Sequence, residues 1–259
     1  MINTLNETSL HKTLKTIYSL ENEGSLTEQT IKKPLKKTKN SCIKYANTSN
    51  YIFDIVTKKG NVIEIQTGNL GHLLAKSMYL IQEKRKIKVV YPLAATKYIQ
   101  TENIDEGTVK KRKSPASKTI YSVFRELTSL CPVLLDKYFT LEVIEVTLTE
   151  ERKTGSGLVQ SKNNRRRFRK NWNKTGKHLD SIDGKVVLHG KKSYISLLPK
   201  SIVDLNESFT VSDLHNAFVE QKIKIKRNEV SLIAWVYSHM GLFEFEGKKG
   251  RAYLYKINK

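Results

Sequence analysis

Between Tyr51 and Gln66 the chain carries two short apolar runs, Tyr51–Val56 and Val62–Gln66, separated by Lys-Lys-Gly-Asn turn chemistry. This pattern predicts a β-hairpin with an acid in each strand, Asp54 and Glu64. Residues opposite one another in an antiparallel pair share a face, so the two acids share one only if pairing partners sum to an even number. A three-residue loop Lys59-Gly60-Asn61 satisfies this, with glycine free to take a positive φ. It sets Lys58 opposite Val62 and Asp54 opposite Gln66, diagonal to Glu64. Phe53, Ile55, Ile63 and Ile65 are then expected on the other face, against helices, and the acids on the accessible one.

The same reading extends in both directions. Leu10, Leu14, Ile17 and Tyr18 predict a helix over Ser9–Leu20 with Ser9 as its cap. Residues 21–50 are polar and Lys-rich, a loop with one edge strand around Glu28–Leu35, where Pro34 disfavours a central position. Leu70, Leu73, Leu74, Met78 and Ile81 mark an amphipathic helix to about Glu83. Ile87–Tyr91 reads as a strand stopped by Pro92, and strand, helix, strand implies a right-handed crossover and a mixed sheet. A helix over Tyr121–Leu130 and a strand over Phe139–Leu148 complete a first domain, 1–149. At the other end, helices Asp213–Glu220 and Glu229–His239 precede strands Leu242–Glu246 and Ala252–Lys256, joined by Gly-Lys-Lys-Gly-Arg. Helix, helix and basic hairpin resemble a winged helix-turn-helix over 201–259, with Asn228 and Ser231 on the reading helix, Lys248, Lys249 and Arg251 on the wing, and Ile233 and Trp235 in its core.

Charge changes the picture more than composition does. The 259 residues have a formal charge of +21, which implies a polyanionic partner. Residues 151–200 hold fourteen Lys or Arg against three acids, a net of +11, centred on KNNRRRFRKNWNK. Arg165, Arg166, Arg167 and Arg169, interleaved with Phe168 and Trp172, suit phosphate contact and base stacking; a solvated linker is the competing reading of this 150–200 connector. Arg112 and Lys113 are further phosphate candidates, or a solvated turn. Two cysteines, Cys42 and Cys131, support neither a zinc site nor a disulfide framework. With no apolar leader and no run of membrane-spanning length, the expectation is a cytoplasmic protein without a membrane partner. The glycines of Thr67–Gly71 lack phosphate-loop spacing. Glu7 and His11 read more simply as a solvated first-turn acid and a helix-surface histidine.

Two carboxylates converging at a sheet end suit a hard divalent cation. Asp54, a nine-residue interval, then Glu64-Ile65-Gln66 resembles the active-site motif of the PD-(D/E)XK nuclease superfamily, with Gln66 where Lys usually stands; some type II restriction endonucleases also carry Gln there. The text IEIQTGNL, with VVYPLAATKYI and RKSP downstream, is similar to an uncharacterised bacterial nuclease-like family with a C-terminal winged helix. The resemblance implies an α/β fold: a mixed-sheet, restriction-endonuclease-like core followed by the winged domain. It implies a metal-dependent endonuclease acting on double-stranded DNA and leaves a homodimer open. Asp54 and Glu64, with the Ile65 carbonyl, would hold Mg²⁺ or Mn²⁺, and Gln66 would orient water without serving as a base. A DNA-binding or regulatory protein on the same fold that no longer cleaves is the alternative, motivated by the same Gln66.

Overall fold

The computed structural model describes residues 8–32, 50–160, 167–205 and 207–258. Helix α1 (Ser9–Glu21) starts at the expected residue, but its cap is Thr8 in place of Ser9, the Thr8 side chain accepting the His11 N–H. Strands β1 (Leu26–Lys32), β2 (Asn50–Val56) and β3 (Val62–Ile65) follow, then a 3₁₀ turn (Leu70–Leu73) and α2 (Leu74–Gln82). Next come β4 (Ile87–Asn103), β5 (Thr108–Lys113), a 3₁₀ turn (Ile120–Val123), α3 (Phe124–Leu127), β6 (Phe139–Val159) and β7 (Lys170–Leu188). The sheet has seven strands in the order β1-β2-β3-β4-β6-β7, with β5 paired onto β4. β3, β4 and β6 are parallel; the other pairings are antiparallel.

Apolar side chains cover both faces. On one, Leu10, Leu14 and Tyr18 of α1 pack on Ile55, Ile63, Ile65, Val90, Ile144, Val146 and Leu148. On the other, Leu70, Leu73, Leu80, Phe124 and Leu127 pack on Phe53, Val62, Val89, Leu141 and Val143. This second core continues into the C-terminal part, made of α4 (Gly190–Ile195), α5 (Lys200–Val203), α6 (Val211–Glu220), α7 (Arg227–His239) and the hairpin β8 (Phe243–Lys249) and β9 (Ala252–Ile257). The Tyr237 hydroxyl donates to the Tyr194 carbonyl at 2.7 Å, and Tyr237 and Phe218 set their rings against Phe124 and Tyr121. Thr210 and Asp213 cap α6 reciprocally.

Four expectations outside the acid pair are corrected. β4 does not stop at Pro92. Gln66 N–H donates to Val90 O, so alternation turns the Pro92 nitrogen toward the β3 side, where β3 has already ended at Ile65, opposite Val90, and no ladder bond is lost. The boundary at 149 and the connector at 150–200 give way to sheet: β6 runs unbroken to Val159 and β7 pairs back along it from Lys170 to Leu188. With the far ends of β4 and β5, these strands form a long basic arm. The hairpin loop is three residues long as expected but lies one position earlier, Lys58-Lys59-Gly60. Thr57 and Asn61 exchange hydrogen bonds at its base, Gly60 takes φ 75°, and the Arg85 guanidinium clamps the Gly60 carbonyl. Finally, Trp235 is 42 % exposed and stacks on His239 at 3.7 Å instead of entering the core. Among the described residues no helix is long and apolar enough to cross a membrane.

Candidate functional site

Moving the loop by one position changes every partner sum by two, which preserves which residues share a parity and alters which are opposite. Val56 pairs with Val62 and Ile55 with Ile63, so continuing the register sets Asp54 against Glu64, not Gln66. The ladder opens at that step. Asp54 Oδ2 accepts the Ile65 N–H at 2.9 Å, and Glu64 Oε1 accepts the Asp54 N–H at 3.3 Å. Each carboxylate thus occupies the acceptor place that the opposite strand's carbonyl would fill. The N–H and C=O of one strand residue point to the same edge, which turns the Ile65 carbonyl into this opening as well.

The face assignment needs correcting at the same place. Ile55, Ile63 and Ile65 lie under α1, but Phe53 lies in the opposite core with Val62. β2 changes face at Asp54, beside Glu28, whose φ of 54° interrupts the β1 pairing between Thr27–Ile55 and Gln29–Phe53. Nor are the acids on an open face: Glu64 is 3 % exposed.

The two acids have unlike surroundings. Asp54 turns toward α1, where His11 Nε2 lies 3.3 Å from Oδ2 and Lys15 Nζ 3.8 Å from Oδ1; Lys15 also binds Glu28 at 3.1 Å. His11 and Lys15 are four residues apart and so share a helix face. Burial pushes the Asp54 carboxyl up, but His11, the Ile65 N–H and Lys15 outweigh it and hold it below the usual range. Glu64 turns toward α2, where Lys76 Nζ lies 3.0 Å from Oε2 and donates to the Ile52 carbonyl at 2.6 Å. For Glu64 burial wins: with Asp54 adding to it against the pull of Lys76, its carboxyl is raised to about 7. Gln66 is held by the following loop, its Nε2 donating to the Gly68 carbonyl at 2.5 Å.

Lys76 was not singled out in the sequence, although a signal exists. It lies three residues after Leu73 and four before Leu80, both buried, which places a lysine on the core-facing side of α2. Among the described residues no group of three or more His, Cys, Asp and Glu is arranged to hold a metal. The donors at the opening are therefore Asp54, Glu64 and the Ile65 carbonyl.

The nucleic-acid candidates are dispersed. Arg112 and Lys113 are exposed on β5, opposite Ile99 and Tyr98. Arg165 and Arg166 lie outside the described residues, as does Cys42; Arg167 and Arg169 are exposed just before β7. Trp172 on β7 carries the Arg152 guanidinium 3.9 Å above its ring. Asn228 and Ser231 are exposed on α7 with Trp235, and Lys248, Lys249 and Arg251 are exposed at the β8–β9 turn.

A family model described as "Domain of unknown function (DUF8091)" matches residues 8–189, from the cap of α1 to the residue after β7. An uncharacterized protein of Treponema pallidum (strain Nichols) is 30 % identical over 156 residues, 59 % of this chain and 54 % of that protein; the match spans about half the relative's length. No solved structure matches.

Proposed function

This chain belongs to the DUF8091 family, and from the geometry of its acid pair we propose that it is a metal-dependent endonuclease of the PD-(D/E)XK type, hydrolysing phosphodiester bonds in DNA. The observation that carries this reading is the opening between β2 and β3, where Asp54, Glu64 and the Ile65 carbonyl converge at the C-terminal end of a parallel strand. These are hard oxygen donors of the kind that suit Mg²⁺ or Mn²⁺. When bound there, the ion would polarise the scissile phosphate and acidify a water.

The chain's own residues supply the rest. Lys76 brings to Glu64 the fixed positive charge that Gln66 cannot provide, and on this reading it would stabilise charge developing on the phosphate. His11 donates from Nε2 to Asp54 Oδ2, which fixes the imidazole beside the acid pair. The basic arm and the C-terminal part would hold the polymer. In that part α6, α7 and the β8–β9 hairpin, with the Phe209–Tyr255 bridge, support a winged-helix reading in which α7 presents Asn228, Ser231 and Trp235 to the groove.

A non-cleaving DNA-binding protein is the second reading. It is favoured by Gln66 being tied to the Gly68 carbonyl and by Lys76 already neutralising Glu64. Nicking of supercoiled plasmid with Mg²⁺ or Mn²⁺ tests the proposal: the wild-type chain cleaves, whereas Asp54→Ala and Glu64→Ala bind DNA without cleaving it. Binding without cleavage by the wild type in either metal defeats the first reading and leaves the second.

A further inference from the structure

A second charged cluster lies on the arm, away from the acid pair. At its centre is Glu150 of β6, 7 % exposed. Arg152, two residues on and therefore on the same face, donates from Nε and Nη2 to Glu150 Oε1 at 2.8 and 2.6 Å. Lys97 of β4 and Lys174 of β7 approach Oε2 at 3.7 and 3.5 Å. Lys177 lies opposite Glu150 in the β6–β7 ladder and completes the set. Burial lowers the Lys177 ammonium, and Lys174 beside it adds to that. Burial pushes Glu150 up, yet Arg152, Lys174 and Lys97 outweigh it and keep it ionised.

Four cations gathered on one carboxylate leave a local excess of three positive charges. Their mutual repulsion costs free energy that a structural ion pair, needing only one partner, would not incur. The first turn of α1 adds to the excess, because the Ser9 hydroxyl donates to the Lys177 carbonyl and so brings the positive end of the helix to this place. An anion arriving here meets charges already assembled over the apolar floor of Leu148 and Leu179.

We propose that Lys97, Arg152, Lys174 and Lys177 form a binding site for the phosphodiester backbone of nucleic acid, in which Glu150 occupies the centre until a phosphate competes with it for the cations. Trp172, with the Arg152 guanidinium 3.9 Å and the Lys170 ammonium 5.2 Å over its ring, sets an indole among these cations, a combination that favours nucleic acid over a lipid surface. The site shares the α1 side of the sheet with Ile144, Val146 and Leu148 and with Asp54, His11 and Lys15. A strand crossing the arm is thereby led along α1 toward the acid pair. The inference rests on the nucleic-acid part of the proposed function and not on hydrolysis.

The test measures anisotropy of a fluorescein-labelled duplex with the full chain in EDTA, over a range of salt. The triple variant Lys97→Gln, Lys174→Gln, Lys177→Gln is expected to bind at least ~10-fold more weakly at low salt and to lose about three from the slope of log affinity against log salt. A control of equal charge, Lys84→Gln, Lys86→Gln, Lys137→Gln, alters exposed lysines at the opposite end of β4 and β6 and keeps the wild-type slope. Glu150→Gln removes the competing carboxylate and is expected to tighten binding severalfold, with circular dichroism reporting its fold. If Glu150→Gln fails to fold, the lysine triple decides alone. An unchanged slope in that triple, an equal loss in the control, weaker binding by a folded Glu150→Gln chain, or capture by phosphatidylserine vesicles without DNA binding overturns the site. Because no divalent metal is present, failure to cleave plasmid leaves this result standing, and the reverse also holds.

Discussion

Glu64 on β3 and Glu142 on β6 are 3 % and 2 % exposed on the same sheet, yet their carboxyls are displaced in opposite directions. Burial pushes both up. Around Glu142 it is outweighed, because the Tyr18 hydroxyl donates to Oε1 and Lys185 and Lys88 lie 3.1 and 3.2 Å away. Among the described residues Glu64 has Lys76 as its one cationic partner and Asp54 as an acidic neighbour, so burial prevails. Equal burial therefore marks two different roles. Glu142 is a satisfied ion-pair centre under α1, whereas Glu64 is an acid kept short of partners beside a second acid, the condition in which a cation gains most by binding.

The largest expected effect separates the two in activity. Glu64→Gln should lower metal-dependent cleavage by ~10³-fold or more, the scale of several kcal/mol of lost charge stabilisation. Glu142→Gln should leave the rate within a few-fold in chain that remains folded. Plasmid nicking by matched amounts of folded protein reads both.

Stability against pH distinguishes them next. Glu64 has its folded value near 7 against an ordinary 4.5. Its contribution is therefore complete below about pH 4.5 and lost as pH rises through about 7, by up to ~3 kcal/mol. Glu142, held below its ordinary value, contributes in the opposite sense: its share is present above the usual carboxylate range and lost as pH falls. Urea unfolding of Glu64→Gln should show the first loss abolished between about pH 5 and pH 8. Glu142→Gln should instead be weaker throughout that range by ~1–3 kcal/mol, since it leaves two lysines without their acceptor.

Lys76→Met removes the cation paired with Glu64 and should raise that carboxyl further. The acid limb of the pH–rate profile then moves upward by ~1 unit, with a lower plateau. A limb that stays in place would make Lys76 a packing residue over the Phe53 ring, 5.4 Å away.

The smallest expected effects lie in the C-terminal part. Neutralising Lys248, Lys249 and Arg251 should weaken DNA binding by only a few-fold and equally for all sequences, whereas Asn228→Ala with Ser231→Ala should change which duplexes are enriched from a randomised pool. The full chain is the material for this test, because Tyr237 and Phe218 of the C-terminal helices share a core with Phe124 and Tyr121.

What could be read in the sequence was what repeats. Leu10, Leu14 and Tyr18 gave α1, Leu70 through Ile81 gave one helix whose first turn is instead 3₁₀ before α2, and turn chemistry between apolar runs gave a hairpin with one acid in each strand. The missing parts depend on neighbours that no local pattern encodes. β7 is polar or exposed along most of its length and is held as an edge strand by β6, so it shows no sustained apolar alternation and reads as a basic connector. Pro92 reads as a stop unless β3 is known to end beside it. The turn of β2 at Asp54 and the reach of Lys76 from α2 are consequences of packing, seen only when both cores are assembled.

The most direct measurement is a crystal structure soaked with Mn²⁺ and located by anomalous scattering. One ion is expected between the Asp54 and Glu64 carboxylates, with Lys76 Nζ withdrawn from its 3.0 Å contact with Glu64. An empty opening at saturating Mn²⁺, with that contact intact, would contradict the proposed metal site.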